Sequence, residues 1–487
     1  MNLGNKIFSG VIWNGLDKIS IQIVQFVVGV VLARLLTPND YGIVSILLVF
    51  IAFSQIFIES GFPKALIHKQ ERTNLDLSSV FYFNMLISLV CYVTIWILAP
   101  FIASYYENQE IQPLMRVLGL TIVINAVNAV PLTLIYIQLD FRKLFKVNLA
   151  LALLSGAVGI YFAYKGYGAW ALIYQSLSRS VLSLFILRLI IKWLPEWSFS
   201  MASIRKLYKY GMHIMFSSLL NNMVNKFYHL FIPKILNAAQ LGIYTRGGQF
   251  ADVLYNSISS VSDSVLFPTL STIQDDKEKL IVYTRKIIRM MSILVFPIFM
   301  GLALLAEPLI RILLTDKWIE AVPILQIICA GRIITIIAGV SVNLLYVIGR
   351  PDLALRQQYW KLGIRIILIY AALKYGIIWI AIAELISTII HFFINTYYPG
   401  KYMKYGAFKQ LKDIFPILIL SSVMIALLWV IKQFIPGDLL QLIIIPVIGA
   451  AMYLGAIYLL KFPEIQFFKE KIEHLKNKKA SASNGRK

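Results

Sequence analysis

Two cysteines and five histidines are all that the 487 residues hold of those types. So few leave no room for a disulfide framework or a repeated Cys/His metal motif. Cys91 and Cys329 both fall in apolar runs and read as buried free thiols. His68, His213, His229, His391 and His474 are scattered, so neither a protein metal site nor a cofactor is expected. Acids are scarce too, 24 Asp and Glu against 46 Lys and Arg. No Walker A loop and no G-x-G-x-x-G turn after a strand occurs, so ATP hydrolysis would need another subunit.

What the chain has in excess is apolar surface. Hydrophobic residues make up 59% and mean hydropathy is +0.74, well above the roughly 45–50% apolar content of soluble domains. The apolar runs are long and continuous, which favours membrane-crossing helices over barrel strands. The net charge of +22 lies in short connectors between those runs, not on a soluble basic face. That distribution is the positive-inside pattern and excludes a nucleic-acid partner. The first run carries Asp17 and Lys18 and lacks a small-residue exit, so no cleavable signal is expected.

Polar breaks divide the chain into fourteen expected spans. Six fall at 11–33, 42–62, 80–104, 114–137, 147–164 and 169–191, and six at 210–233, 241–266, 287–305, 322–348, 357–374 and 377–398. A last pair lies at 414–434 and 438–460. The expected fold is an all-α polytopic membrane protein with an N-lobe over 1–200, a C-lobe over 201–400, an extra helix pair over 401–462 and a basic tail over 463–487. Six spans per lobe make the two repeats parallel. With the N-terminus inside, inner segments hold 32 Lys and Arg and outer segments about eight, which puts both termini in the cytoplasm. The longest outer connector, 306–320, is too short for a soluble domain.

The repeat shows directly at an offset of 200 positions. Leu32 to Ile43, LARLLTPNDYGI, is echoed by Ile232 to Ile243, IPKILNAAQLGI. Pro38 suits a helix break there, and Asn39 or Asp40 suits the cap of the next helix. Arg34 and Lys234 then lie at the outer interface, as anchors or as an outer gate between lobes.

Polar residues inside spans carry the remaining signal. Asn14, Asp17, Lys18, Gln22 and Gln25 share one face of the first span, and Asn221, Asn222, Asn225 and Lys226 share one face of its partner, the seventh. Such stripes either glue helices, at about 0.6 kcal/mol per contact, or line a cavity. The ammonium groups of Lys18 and Lys226 tip the balance, since each needs water, a partner or an anion. Arg179, Arg246 and Arg332 add cations, while Asp252 and Glu384 either line the same cavity or pair with Arg246 or Arg332. Glu384, Ser387, Thr388, His391 and Asn395 align along the twelfth span, and Arg365 is expected to snorkel to the interface. Surplus interior cations suit an anion, and arginine forks suit phosphate or pyrophosphate.

LARLLTPNDYGIVS, ESGFPKALIHKQ and FYFNMLISL, together with the duplication and the final pair, resemble the polysaccharide flippases of the multidrug/oligosaccharidyl-lipid/polysaccharide exporter superfamily. The colanic-acid and teichuronic-acid exporter branch is the nearest likeness. The resemblance implies a bacterial inner-membrane transporter, not an enzyme, that moves an undecaprenyl-pyrophosphate-linked oligosaccharide to the outer leaflet by rocking two lobes around a cationic cavity. It also suggests contact with membrane lipids and with polysaccharide assembly machinery, and a monomeric state. Lys18, Arg179, Lys226, Arg246 and Arg332 are the cations suited to bind such cargo. Three other functions compete, one of them a non-transporting scaffold for an envelope assembly complex, which would not need a polar cavity. A cation-coupled drug exporter of the same fold is disfavoured by the interior cations. A membrane-embedded polymerase or ligase is disfavoured by the short outer connectors.

Overall fold

The computed structural model describes residues 3–59, 62–69, 71–138 and 140–460. Among them every regular element is a helix. The long ones are α1 (Leu3–Leu35), α2 (Pro38–Glu59), α3 (Asn74–Tyr105), α4 (Ile111–Gln138), α5 (Phe141–Tyr164), α6 (Ala169–Ile190) and α7 (Met201–Lys226). They continue as α8 (Ala238–Ser271), α9 (Lys277–Leu304), α10 (Ala321–Val347), α11 (Pro351–Ala372), α12 (Ile377–Met403), α13 (Ala407–Gln433) and α14 (Asp438–Leu459). Eleven of these are long and apolar enough to cross a membrane, so the chain is a multi-pass membrane protein. The other three long helices, α7, α8 and α11, have 26, 34 and 22 residues.

Local chemistry sets the helix starts. Thr37 and Asp40 form a reciprocal cap on α2: the Thr37 N–H and Oγ1 both donate to Asp40 Oδ2 (2.8 and 2.7 Å), and Asp40 N–H donates to Thr37 Oγ1 (3.3 Å). The cap is therefore Thr37, with Pro38 in the first helical position, where its missing N–H costs nothing. Two hundred positions on, Asn237 Oδ1 accepts the Gln240 N–H at 2.8 Å ahead of α8. Thr73 and Asp76 repeat the reciprocal cap on α3, and Lys69 Nζ lies 2.5 Å from the Asp76 carboxylate.

The chain divides into two compact units. One comprises Met1–Thr245 with Leu373–Ile377, the other Arg246–Ala372 with Ile378–Lys487.

In the first unit, α5 packs between α1 and α6, and α4 packs on α3 and α6. A short helix, Phe62–His68, joins a core of Phe62, Leu66, Leu77, Val80, Val130, Ile204 and Leu207. The linker after α6 is pinned to the start of α3, since Ser78 Oγ accepts the Glu196 N–H and Ser79 Oγ accepts the Ser200 N–H, each at 2.9 Å.

In the second unit, α9 lies against α10 and α13, and α13 pairs with α14. Ion pairs and amide bonds fasten it. Arg285 lies 2.5 Å from Asp413, whose other oxygen accepts Tyr405 Oη at 2.9 Å. The connector expected to be a short outer loop folds as an amphipathic helix, Ala306–Leu314, followed by a fully buried Trp318. Arg311 collects three carboxylates there, Glu307 (2.9 Å), Asp316 (3.1 Å) and Asp438 (3.3 Å). Cys329 is buried and free, and Cys91 is free and half-buried.

Candidate functional site: polar interiors of the two units

The first unit holds an open cavity of about 850 Å³ lined by α2, α4, α5, α6 and the short helix Phe62–His68. Its polar wall consists of Gln55, Asn125, Asn128, Asn148, Ser176 and Arg179. Beside it, Asn148 Nδ2 donates to both oxygens of the Asp17 carboxylate, at 3.1 and 3.4 Å. Asp17 is only 6% exposed, so an amide holds a nearly dry carboxylate in place. Arg179 lines the cavity and makes no ion pair within 4 Å among the described residues, though the Asp17 carboxylate is near enough for its charge to act on the guanidinium. A guanidinium outside direct ion-pair distance, among amides and hydroxyls, is an anion-receptive arrangement.

The polar stripe of α1 splits in the structure. Asp17 turns inward to α5, whereas Lys18 and Gln25 are exposed and Gln22 is half-buried. Neighbours in sequence point about 100° apart on a helix, which separates Asp17 from Lys18. The side chains of Asn14, Asn221, Asn225 and Lys226 lie outside the described residues, so the mirrored stripe of α7 is represented by the half-buried Asn222.

The second unit holds its charges in a tighter network. Arg332 Nε donates to Asp252 Oδ1 at 2.6 Å, its Nη1 lies 3.8 Å from Glu384 Oε1, and its guanidinium sits 5.4 Å from the Tyr255 ring. Two carboxylates thus balance this arginine. Arg246 donates to Gln249 one turn along α8.

Sequence reasoning missed a second cationic pair. Arg365 does not snorkel: it is 7% exposed, with Nε on Ser387 Oγ and Nη2 on Thr388 Oγ1, both at 3.1 Å. Lys361, counted in sequence among the connector charges, is buried to the same 7% one turn away and has no ion-pair partner among the described residues. His391 Nε2 bonds the Lys361 carbonyl at 3.1 Å. All five polar residues of the α12 stripe, Glu384, Ser387, Thr388, His391 and Asn395, are buried against this set. The i, i+4 spacing of Lys361 and Arg365 opposite that stripe was the available signal.

At the repeated motif, both within the first unit, backbones meet directly. A Cβ on Gly42 would lie 1.7 Å from the Ala238 carbonyl oxygen, and one on Gly242 would lie 1.9 Å from that of Pro38. Ser45 Oγ and Thr245 Oγ1, again 200 positions apart, are 3.3 Å from each other. Lys234 binds Glu107 at 2.8 Å and sits 5.1 Å from the Tyr105 ring, while Arg34 is exposed. The bond from Lys234, and then its charge, hold the Glu107 carboxyl below its ordinary value. Tyr106 Oη donates to the Leu230 carbonyl at 2.8 Å. The two glycines make the backbone contact at this end.

Residues 31–323 match the family model described as "Polysaccharide biosynthesis protein". The chain is 24% identical to "Teichuronic acid biosynthesis protein TuaB" of Bacillus subtilis (strain 168), covering 81% of this chain and 82% of that one. It is also 24% identical to "Succinoglycan biosynthesis transport protein ExoT" of Rhizobium meliloti (strain 1021), covering 91% and 90%. Its fold is similar to that of "Lipid II flippase MurJ, inward closed conformation", with a TM-score of 0.73, 16% identity, and coverage of 96% of this chain and 99% of that chain. The family match spans well over half of the sequence, and the chain belongs to the polysaccharide biosynthesis protein family.

Proposed function

We propose that this protein is a flippase that carries polysaccharide repeat units, linked to undecaprenyl pyrophosphate, from the inner to the outer leaflet of a bacterial cytoplasmic membrane by alternating access. The observation that carries this reading is the cavity of about 850 Å³ between apolar helices, with the Arg179 guanidinium in its wall. A guanidinium donates in parallel pairs and suits a pyrophosphate, while amides and hydroxyls suit sugar. The lipid chain would stay among bilayer lipids, so the sugars never meet hydrocarbon unaided. Lys18, Lys226 and Arg246 complete the proposed cationic path, and Arg332, balanced by Asp252 and Glu384, organises the second unit.

The proposed architecture is fourteen spans, two parallel six-helix repeats over 1–200 and 201–400 and a final pair over 401–462, with both termini cytoplasmic. The equal offsets of Thr37 and Asn237, Gly42 and Gly242, and Ser45 and Thr245 support the duplication. The protein works as a monomer beside the polysaccharide assembly machinery. A drug exporter taking cations would need free interior acids. Here Asp252 and Glu384 share Arg332, and Asp17 is held by Asn148.

Purified protein in vesicles, supplied with labelled lipid-linked oligosaccharide on one face, tests the proposal. Label exchange between leaflets is expected. New glycosidic bonds, or no exchange, would overturn it.

A further inference from the structure

We propose that the groove between α11 and α12 is a binding site for an anionic glycerophospholipid of the surrounding membrane, its phosphate held by Arg356 and Lys401. The groove has a volume of about 760 Å³, and no carboxylate lines it. Arg356 and Lys401 are both exposed at one end and make no ion pair among the described residues. Arg350, at the same end, is held in a two-pronged bond to Asp352 (3.0 and 2.9 Å), so it shapes the mouth without adding net charge. Two uncompensated cations remain to face a ligand.

The other end is apolar, formed by Ile364, Ile390 and Phe393. Between the ends, Trp360 and Tyr397 stand 65% and 61% exposed. Cations, then amphipathic aromatics, then aliphatic carbon reproduce the polarity profile of a lipid from phosphate to acyl chain. The depth agrees. Ile364 lies eight residues beyond Arg356 on α11, about 12 Å at 1.5 Å per residue, and the hydrocarbon of one leaflet is about 15 Å. The groove thus extends over most of that length from the proposed phosphate site. A soluble phosphate would need only its mouth.

The walls are built to stay apart at this spacing. Gln357 Nε2 donates to the Ile394 carbonyl at 2.7 Å, which ties α11 to α12 on the buried side while the flank remains open.

Native mass spectrometry of the full-length protein in neutral detergent tests the site, with phosphatidylglycerol and phosphatidylcholine of identical acyl chains as probes. Phosphatidylglycerol adducts are expected at fivefold or greater occupancy over phosphatidylcholine. They should fall to the phosphatidylcholine level in R356Q/K401Q, persist in the charge-keeping R356K/K401R, and be unchanged in R188Q/K192Q, which removes exposed cations elsewhere. Equal binding of both lipids, full binding by R356Q/K401Q, or equal loss in R188Q/K192Q would each overturn the proposal. Stoichiometric displacement by undecaprenyl phosphate would likewise overturn it, by reassigning the groove to the carrier of the cargo.

Discussion

Gly42 and Gly242 face each other's helix starts reciprocally: each Cα lies where an added Cβ would fall within 1.9 Å of a backbone oxygen, Ala238 O in one case and Pro38 O in the other. A carbonyl in a helix start cannot rotate away as a side-chain tip can. Gly42→Ala and Gly242→Ala should therefore each force the segments apart and cost about 1–3 kcal/mol, the usual range for overpacking. The added helix propensity of alanine, under about 1 kcal/mol, is too small to offset this. Thermal melting in detergent checks the sign, and increased thiol labelling of a cysteine placed at Ser45 checks the separation.

Lys361 and Arg365 share a helix face and a depth, yet their removal should have opposite effects. Arg365 donates to Ser387 and Thr388, whose hydroxyls also donate to the Glu384 carbonyl, so Arg365→Met removes two charge-assisted bonds and should destabilise by about 1–3 kcal/mol. Lys361 buries an ammonium without an acid, and Lys361→Met should be neutral or stabilising by roughly 1–3 kcal/mol. If that lysine serves transport, the same variant should lower the flipping rate at least fivefold while its melting temperature holds or rises. Parallel melts and vesicle assays separate the two quantities.

How much of this was legible in sequence follows from the kind of force involved. The membrane class and the helices follow from apolar run length and from a local motif, so the helix starts near Thr37 and Asn237 could be read along one strand of text. The buried stripe of α12 could be read as well, because a helical period puts Glu384, Ser387, Thr388, His391 and Asn395 on one side. Partners could not. Asp17 and Lys18 read as one polar face, but Asn148, 131 positions away, draws only the aspartate inward. Arg365 read as an interfacial cation because its hydroxyl partners lie on another helix.

Glu107 gives a pH dependence with a definite sign. Its carboxyl is held below the ordinary 4.5 by Lys234 in the folded protein, so its contribution is complete above that value and disappears as pH falls through the lower, folded one. Hydrogen exchange of residues 105–111, corrected for intrinsic rates, should therefore rise below about pH 4.5 in the parent protein. Glu107→Gln should abolish the pH step. An unchanged step in that variant would assign it to another group.

Arg179 lines the first unit's cavity without an ion-pair partner there, so its loss should affect cargo more than stability. Arg179→Gln should change the melting temperature by less than about 2 °C, an effect under roughly 1 kcal/mol, and slow flipping tenfold or more. Arg179→Lys, which keeps the charge but loses the planar fork, should recover only part of the rate. Lys18→Ala, made beside it, should impair export without preventing membrane insertion.

Ser45 and Thr245, 3.3 Å apart across the paired motifs, offer the most direct test of a flippase whose motifs separate in each cycle. Leaflet exchange of labelled lipid-linked oligosaccharide should be measured in vesicles containing S45C/T245C, before and after oxidation. The expected result is exchange by the reduced protein, arrest once the cross-link forms, and recovery on reduction. Undiminished exchange with the cross-link complete, or none in the reduced state while the parent protein is equally inactive, would contradict the account.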